Sequence, residues 1–219
     1  MPTEILKEQS RCIAHEIRNQ VSICDVYCEI IKKQLLKEGI KNESIERAIE
    51  CIQKSVKMVN NSLIDLKSLD NIKQTVCNTN NLIEQSIKMG RVYIHDKLIT
   101  ISSNLKSDAE IYVDENKFLA CMINLIKNAI EAIDTKGEII VTSDIEKEFA
   151  VIRISNNGKP ISKTAQKDLF NEGYTTKKTG SGLGLYICQN NLKLQNAELS
   201  LIQSTTKKTE FEIKIPIIK

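Results

Sequence analysis

The sequence predicts an α+β fold in two parts, a long helical hairpin followed by an α/β two-layer sandwich. Three observations lead to this prediction. Residues 3–37 and 45–66 carry apolar side chains at helical spacing, strand-like runs alternate with helices from about residue 75, and glycine is concentrated in residues 158–184. The chain has 219 residues, enough for one large or two small domains at roughly 150 residues per domain. We place the domains at residues 1–74 and 75–219.

The composition excludes several classes of protein. The chain has 31 Lys and Arg against 28 Asp and Glu, a net charge of +3 that is too balanced for a protein that coats nucleic acid. No apolar run approaches the ~20 residues of a membrane span, and the N-terminus lacks the apolar region of a signal peptide. We therefore expect a cytoplasmic protein that binds neither nucleic acid nor membrane. The 7 cysteines have no CxxC spacing, so neither a disulfide framework nor a zinc site is indicated.

The first helix of the hairpin has one apolar stripe and a defined end. Gly39 lies in the segment EGIKN, where it is expected to stop the helix, and Asn42 is expected to cap the next one. The stripe consists of residues that recur at steps of three, four or seven: Leu6, Ile13, Ile17, Val21, Cys24, Cys28, Ile31 and Leu35.

The second helix has a heptad seam, and the two helices form an antiparallel hairpin. The seam alternates steps of four and three through Ile45, Ile49, Ile52, Val56, Val59, Leu63 and Leu66. Two helices have too little area to close a core alone. The sequence therefore predicts a homodimer in which two hairpins form a four-helix bundle.

The second part is expected to be one mixed sheet with helices covering one face. Its strands come in hairpin pairs with helices between them, an arrangement typical of α+β sandwiches. The predicted helices are near 80–90, at 114–134 and near 182–195. The predicted strands are 97–105, 109–113, 137–145, 149–156, 197–204 and 209–217.

His15 is one of two histidines, and the helical pattern places it on the solvent side of the first helix. Glu16 can accept or orient an imidazole proton, and Asn19 lies one turn later on the same face. These residue types suit proton transfer and the positioning of a water or a carboxylate. An exposed histidine beside a glutamate is also common as a plain surface feature, and His95 is interpreted as a surface or structural residue.

The helix at 114–134 has two distinct faces. The buried face is predicted from the spacing of Phe118, Met122, Leu125, Ala129 and Ile133. A second stripe is polar and consists of Asn124, Lys127, Asn128 and Glu131. Asparagine lowers helix propensity, and its amide oxygen is a hard ligand suited to Mg²⁺. The stripe is therefore either a ligand-facing surface or a solvated one.

A loop rich in glycine follows the strand that ends at Asn156, whose amide could bond a flat heterocycle. Thr175, Thr176, Lys177 and Lys178 precede Gly180, Gly182 and Gly184, which open a helix. Backbone N–H groups at such a helix start form a ready anion site for phosphates. The spacing fits neither a Walker loop nor the dinucleotide fingerprint. The alternative is an ordinary surface turn.

Five segments together resemble the cytoplasmic kinase core of bacterial two-component sensor histidine kinases. They are AHEIRN, NLIKNAIEA, SNNGKPI, LFNEGYTTK and GSGLGL, in that order. The resemblance covers nearly the whole chain. It implies a dimerisation and histidine-phosphotransfer hairpin, followed by an ATP-binding domain of the type shared with Hsp90, MutL and gyrase.

The resemblance implies a cytosolic enzyme that autophosphorylates from ATP with Mg²⁺ and passes the phosphoryl group to an aspartate of a response regulator receiver domain. His15 would be the phosphoacceptor, Glu16 its general base, and Asn19 would act in dephosphorylation of the partner. Asn128 would coordinate Mg²⁺ beside Asn124 and Glu131. The nucleotide would also meet the remaining residues carried over from the motifs: Asn156, Gly158, Thr175, Thr176, Lys177, Gly180, Gly182, Leu183 and Gly184.

The chain departs from the family pattern at two places. Gln20 stands where the family usually has a proline five residues after the histidine, so the first helix is expected to run straighter. Asn156 replaces the adenine-reading aspartate, and Pro160 replaces the second glycine of the same turn. A neutral acceptor is weaker than a carboxylate, so weaker ATP binding is expected.

Two other functions stay open at this point. One is a non-enzymatic phosphorelay or adaptor dimer with a degenerate nucleotide site, which the two departures favour. The other is a relative of the same ATPases that acts on serine or on conformation. Because the hairpin begins almost at Met1, we expect either a truncated core or a stand-alone kinase that receives its signal from an upstream sensor protein.

Overall fold

The computed structural model of the chain divides into two compact units, Met1–Ser68 and Leu69–Lys219. The residues that the structure describes are 23–24, 27–28, 30–40, 42–46, 48–49, 52–53, 56, 72–94, 96–177 and 182–218. Within these ranges, no helix is long and apolar enough to cross a membrane.

In the first unit, the helix over residues 30–37 ends where the sequence predicts. Gly39 has a φ of +66°, a left-handed conformation that glycine adopts without steric cost. The N–H of Ile40 donates to the carbonyl of Leu35 at 3.0 Å, and the N–H of Gly39 donates to that of Leu36 at 3.3 Å. These are the two hydrogen bonds of a Schellman motif, so the predicted stop at Gly39 is confirmed.

The second helical segment of this unit begins at the predicted cap. Asn42 Oδ1 accepts hydrogen bonds from the backbone N–H groups of Ser44 at 3.0 Å and Ile45 at 3.2 Å. This side chain therefore satisfies two of the unpaired donors at the helix start. Lys32 Nζ donates to Gln53 Oε1 at 2.8 Å, which joins the two arms and confirms that they lie side by side.

The second unit alternates strands and helices along the chain. Its described strands are β1 (Thr75–Asn78), β2 (Leu98–Leu105), β3 (Glu110–Val113), β4 (Lys136–Glu146), β5 (Phe149–Asn156), β6 (Glu198–Ser204) and β7 (Thr209–Pro216). Its described α-helices are α1 (Thr79–Gly90), α2 (Glu115–Ala132), α3 (Lys163–Asp168) and α4 (Gly184–Lys193). A single 3₁₀ turn, Arg91–Tyr93, follows α1. Every helix and strand predicted for this part of the chain is present, which confirms the α+β class, while β1 and α3 were not predicted.

The strands form two sheets, whereas the sequence predicts one. The main sheet has five strands in the order β2-β4-β5-β7-β6, in which β2 and β4 are parallel and the other pairs are antiparallel. β1 and β3 form a separate antiparallel pair, with Thr75 opposite Val113. The prediction that β3 belongs to the mixed sheet was wrong because the polar segment TVCN, which has no clear alternation, is a strand and pairs with it.

The core lies between the main sheet and the helices on one of its faces. The predicted buried face of α2 is confirmed, since Phe118, Met122, Leu125, Ala129 and Ile133 are all 5% exposed or less. They pack in one cluster with strand residues such as Ile139, Ile152 and Ile213. Burying each Leu, Ile, Phe or Met side chain among them stabilises the fold by about 1.5–3 kcal/mol. This packing fixes which face of α2 points away from the sheet.

Both ends of α2 are held by side chains. Asp114 is the N-cap, and its Oδ1 accepts from the N–H of Lys117 at 3.1 Å. At the other end, Lys97 Nζ donates to the carbonyls of Ile130 at 2.9 Å and Ile133 at 2.6 Å. A cation at a helix C-terminus satisfies free carbonyls and opposes the helix dipole. The helix is therefore a well-anchored support for its polar face.

Candidate functional site

The polar face of α2 carries three side chains on successive turns. Asn124, Asn128 and Glu131 are separated by four and three residues, so they share one stripe. The two asparagines are half-buried and Glu131 is exposed. Each of the other predicted site segments that the structure describes contacts this stripe or the end of α2. The helix therefore brings together residues that are up to 60 positions apart in the sequence.

A lysine from the loop before α4 contacts two members of the stripe. Lys177 Nζ donates to Asn128 Oδ1 at 2.7 Å and forms an ion pair with Glu131. The backbone N–H of Lys177 donates to Thr175 Oγ1 at 3.1 Å, and Thr176 is exposed beside it. A positive charge thus lies directly against the amide oxygen that the sequence singles out as a metal ligand.

Gly182, in the loop before α4, lies close to the backbone of Gly173. Gly182 has a φ of +70°, and a Cβ placed on it would lie 2.3 Å from the carbonyl carbon of Gly173. Any other residue would therefore be strained by both conformation and space. Leu183 is the N-cap residue of α4 and makes no side-chain capping bond.

Gly184, the first residue of α4, lies against Asn124. A Cβ on Gly184 would stand 2.8 Å from Asn124 Oδ1 and 2.9 Å from its Nδ2. Asn124 Nδ2 donates to Cys188 Sγ at 3.3 Å, and Cys188 is buried one turn further along α4. Because Gly184 has no side chain, the Asn124 amide fits against it, and the Cys188 thiol accepts a hydrogen bond from that amide. The start of α4 is therefore in direct contact with the polar face of α2.

The two asparagines of the turn after β5 differ in their hydrogen bonding. Asn157 Oδ1 accepts from the N–H of Glu138 at 2.9 Å, so this amide ties the turn to β4. Asn156 is 5% exposed, and its Nδ2 is buried without a hydrogen-bond partner. Gly158 approaches the end of α2, since a Cβ on it would lie 2.5 Å from the carbonyl oxygen of Ala132 and 2.9 Å from Asn156 Nδ2.

Several predicted site residues lie outside the described residues. These are His15, Glu16, Asn19 and Gly180, together with His95 and Lys178.

Comparison with known proteins identifies the ATP-binding part of the chain. Residues 113–219 match the family described as histidine kinase-, DNA gyrase B-, and HSP90-like ATPase. Sporulation kinase C of Bacillus subtilis is 27% identical over 215 residues, which cover 97% of this chain and 49% of that protein. The catalytic domain of histidine kinase ThkA is 26% identical with a TM-score of 0.60, over 66% of this chain and 96% of that one. The chain carries a histidine kinase ATP-binding core.

The fold likeness extends beyond the ATP-binding core. The structure of histidine kinase ThkA in complex with response regulator protein TrrA is similar over 99% of this chain and 63% of that one, with 23% identity and a TM-score of 0.67. The chain spans about half the length of the first two curated relatives it matches, 49% and 50%.

Sequence reasoning missed two features of the ATP-binding core. It places Cys188 only among scattered cysteines, although its thiol accepts from Asn124. It places Gly173 at the start of the lid and phosphate-binding segment but not against Gly182, whose backbone it approaches. In the first case, the spacing of Gly184 and Cys188 along one helix face was a usable signal. In the second, no local pattern links two glycines nine residues apart.

Proposed function

We propose that the chain belongs to a protein histidine kinase, which transfers the γ-phosphoryl group of ATP to His15 and from there to an aspartate of a response regulator. The observation that carries this proposal is the contact of Lys177 with Asn128 and Glu131. By resemblance, Lys177 belongs to a mobile lid over the nucleotide. The contact joins its positive charge to the two α2 side chains that would face the phosphates. Phosphoryl transfer depends mainly on such positioning and charge neutralisation.

The residues present fit a purine nucleotide. The buried Asn156 Nδ2 lacks a partner, and a planar base at the end of β5 would supply an acceptor. Gly182, Leu183 and Gly184 lead into the N-terminus of α4, and backbone N–H groups at a helix start favour phosphate oxygens. Asn124 would lie beside those phosphates, with Thr175, Thr176 and the undescribed Gly180 in the lid.

The donor set beside Lys177 also fits Mg²⁺. Asn128 offers an amide oxygen and Glu131 a carboxylate, both hard ligands of the type that Mg²⁺ prefers alongside water and phosphate. That the amide oxygen already accepts from an ammonium group supports a site favourable to cations. When bound there, Mg²⁺ would neutralise charge on the phosphates, and Asn128 would be its protein ligand.

The transfer step follows from the chemistry of His15. An imidazole nitrogen attacks the γ-phosphorus, the bond to the β–γ bridging oxygen breaks, and ADP leaves with that electron pair. Glu16 would accept a hydrogen bond from the N–H of the other ring nitrogen and, as the general base, would take up that proton as the attacking nitrogen bonds to phosphorus. The second transfer moves the same phosphoryl group to a carboxylate of the receiver domain. Asn19 would assist removal of the phosphoryl group from the partner.

We propose further that residues 1–74 form a homodimeric four-helix bundle and that residues 75–219 form the catalytic domain. In the described part of the hairpin, four seam or stripe residues are exposed: Cys24, Ile31 at 44%, Ile45 at 39% and Ile52 at 48%. A second hairpin would cover this apolar surface. The protein would act in the cytoplasm, with a receiver domain as its substrate and an upstream sensor protein as its input.

The experiment is incubation of the purified chain with γ-labelled ATP and Mg²⁺. We expect acid-labile label on the wild type, none on His15→Gln, and normal labelling of the matched control His95→Gln. An unlabelled wild type with an intact fold, or equal labelling of His15→Gln, contradicts the assignment.

A second candidate function is a phosphorelay or adaptor dimer with a degenerate nucleotide site. The neutral Asn156 in place of an aspartate and Pro160 in the same turn favour it. Titration with an ATP analogue in a calorimeter separates the two functions, because an adaptor of this kind shows no Mg²⁺-dependent binding.

A further inference from the structure

The buried amide of Asn156 has an unusual hydrogen-bonding state. Its residue is 5% exposed at the end of β5, and its Nδ2 is one of two buried side-chain N or O atoms without a partner among the described residues. Leaving a buried donor unpaired costs free energy, so such donors are normally satisfied. The atom therefore points to an acceptor that is supplied by a ligand.

The neighbouring residues leave this buried donor unpaired rather than accepting its hydrogen bond. Asn157, the adjacent asparagine, uses its own Oδ1 to accept from Glu138 N–H at 2.9 Å. Gly158 has no side chain, and a Cβ there would lie 2.9 Å from Asn156 Nδ2. One amide of the turn is thus used in a structural hydrogen bond, while the Nδ2 donor of the other stays unpaired.

An amide and a carboxylate read the edge of a purine differently. A carboxylate only accepts, so it pairs with the 6-amino group of adenine and repels a 6-oxo group. An amide has a donor and an acceptor, which complement the amine and ring nitrogen of adenine. After a half-turn of the amide, the same two atoms complement the 6-oxo group and N1–H of hypoxanthine. Asn156 therefore lacks the repulsion that would exclude 6-oxopurines.

We propose that this site binds 6-oxopurine nucleoside triphosphates as well as ATP, and that Asn156 is the residue that determines this tolerance. The inference rests on the proposed function, because it assigns the substrate class of the same nucleotide site. Hypoxanthine is the sharper test base, since guanine adds a 2-amino group whose fit is a separate question.

The experiment is calorimetric titration of the full chain with ATP and with ITP, each with Mg²⁺, for the wild type, Asn156→Asp and Asn157→Asp. We expect the wild type to bind ITP within about tenfold of ATP, because the amide pairs with both bases. Asn156→Asp is expected to increase the ratio of ATP affinity to ITP affinity by at least about tenfold, because its carboxylate repels the 6-oxo group. Asn157→Asp adds the same charge to the same turn and is expected to keep the wild-type ratio.

The outcomes separate this inference from the proposed function. A wild type that binds ATP but discriminates against ITP by more than about a hundredfold overturns the inference alone. Equal ratios in the wild type and Asn156→Asp also overturn it. Absence of binding by either nucleotide to the folded wild type overturns the proposed function and the inference together. The ratio of ATP affinity to ITP affinity is measured within each variant. A loss of affinity for both nucleotides leaves this ratio unchanged, so it cannot be mistaken for the expected result.

Discussion

The ammonium group of Lys177 lies 2.7 Å from the amide oxygen of Asn128, the atom proposed to hold Mg²⁺. The same ammonium is paired with Glu131. One cation already satisfies both oxygens, so a second cation at the amide would meet a like charge at short range. Mg²⁺ would then bind at Asn128 only after Lys177 leaves it.

This relationship predicts that Lys177→Met favours metal binding. The side chains of the pair are 47% and 38% exposed, so solvent screens the interaction to about 0.2–1 kcal/mol. The Mg²⁺ concentration for half-maximal nucleotide binding should fall by about 1.4- to fivefold, because that factor corresponds to about 0.2–1 kcal/mol. Titration of Mg²⁺ at a fixed concentration of ATP analogue measures it.

The matched control for this prediction is Lys177→Arg, which keeps the positive charge and should keep the wild-type midpoint. Phosphoryl transfer should respond in the opposite direction in Lys177→Met, because the lid loses a cation that would face the phosphates. A midpoint that rises in Lys177→Met would show that Lys177 assists the metal rather than opposing it.

Gly182 and Gly173 allow the effect of space to be separated from that of backbone conformation. Both have positive φ, +70° and +74°, but only at Gly182 would an added Cβ have neighbours within 4 Å. Gly173→Ala should therefore cost only the conformational strain, about 1–2 kcal/mol. Gly182→Ala adds a backbone clash with Gly173, so its loss of nucleotide affinity should exceed that of Gly173→Ala by at least about tenfold, since about 1.4 kcal/mol is tenfold.

The measurement for both glycine variants is nucleotide affinity by calorimetry, with circular dichroism to confirm the fold. Equal losses in the two variants would mean that left-handed conformation alone explains the requirement for glycine. A Gly182→Ala protein that binds as the wild type does would contradict the contact itself.

The elements that the sequence predicted well are those set by local chemistry. Gly39 and Asn42 end and begin helices through hydrogen bonds within five residues of themselves. The buried face of α2 follows from helical periodicity, and its polar stripe is what remains on the other side. These features require no knowledge of distant parts of the chain.

The features that sequence reasoning did not reach depend on long-range pairing. β1 is a strand because Thr75 lies opposite Val113, and its own four residues carry little strand pattern. The roles of the adjacent Asn156 and Asn157 differ only because Glu138 of another strand uses one amide. The contact between Lys177 and Asn128 links residues 49 positions apart, so no local spacing indicates it.

Cys188 is predicted to position Asn124 through the hydrogen bond to its thiol, at 3.3 Å. Cys188→Ala removes the acceptor, and a hydrogen bond of about 0.5–1.5 kcal/mol corresponds to a loss of nucleotide affinity of roughly two- to tenfold. Cys188→Ser restores an acceptor and should recover most of the affinity. The control Cys121→Ala removes a buried thiol from the facing helix without taking away the partner of Asn124.

The two alanine variants separate positioning from packing. Both should lose stability, since each leaves a small cavity between α2 and α4. Only Cys188→Ala should also lose nucleotide affinity, measured by calorimetry at a temperature where both are folded. If Cys121→Ala weakens binding as much as Cys188→Ala does, packing of the helix pair explains the effect and the hydrogen bond does not.

Asp108 is predicted to make the start of α1 sensitive to acid. Its carboxylate accepts from Asn78 Nδ2 at 2.7 Å, from Thr79 Oγ1 at 3.1 Å and from the backbone N–H groups of Asn80 and Ala109. These bonds, with that from Asn78 the strongest influence, lower the pKa of Asp108 against the opposing effect of burial. The carboxylate form is therefore favoured in the folded protein.

A lowered carboxyl pKa contributes stability that is fully present above the ordinary carboxyl pKa and is lost as the pH falls through the folded value. Asp108→Asn should lower the protection of the Asn80 amide from hydrogen exchange at about pH 7, by about 1 kcal/mol for an exposed carboxylate. At an acid pH below the lowered folded pKa of Asp108, the difference between variant and wild type should shrink, because the wild-type carboxyl is protonated there. A difference that is equal at both pH values would mean that shape, and not charge, holds this helix start.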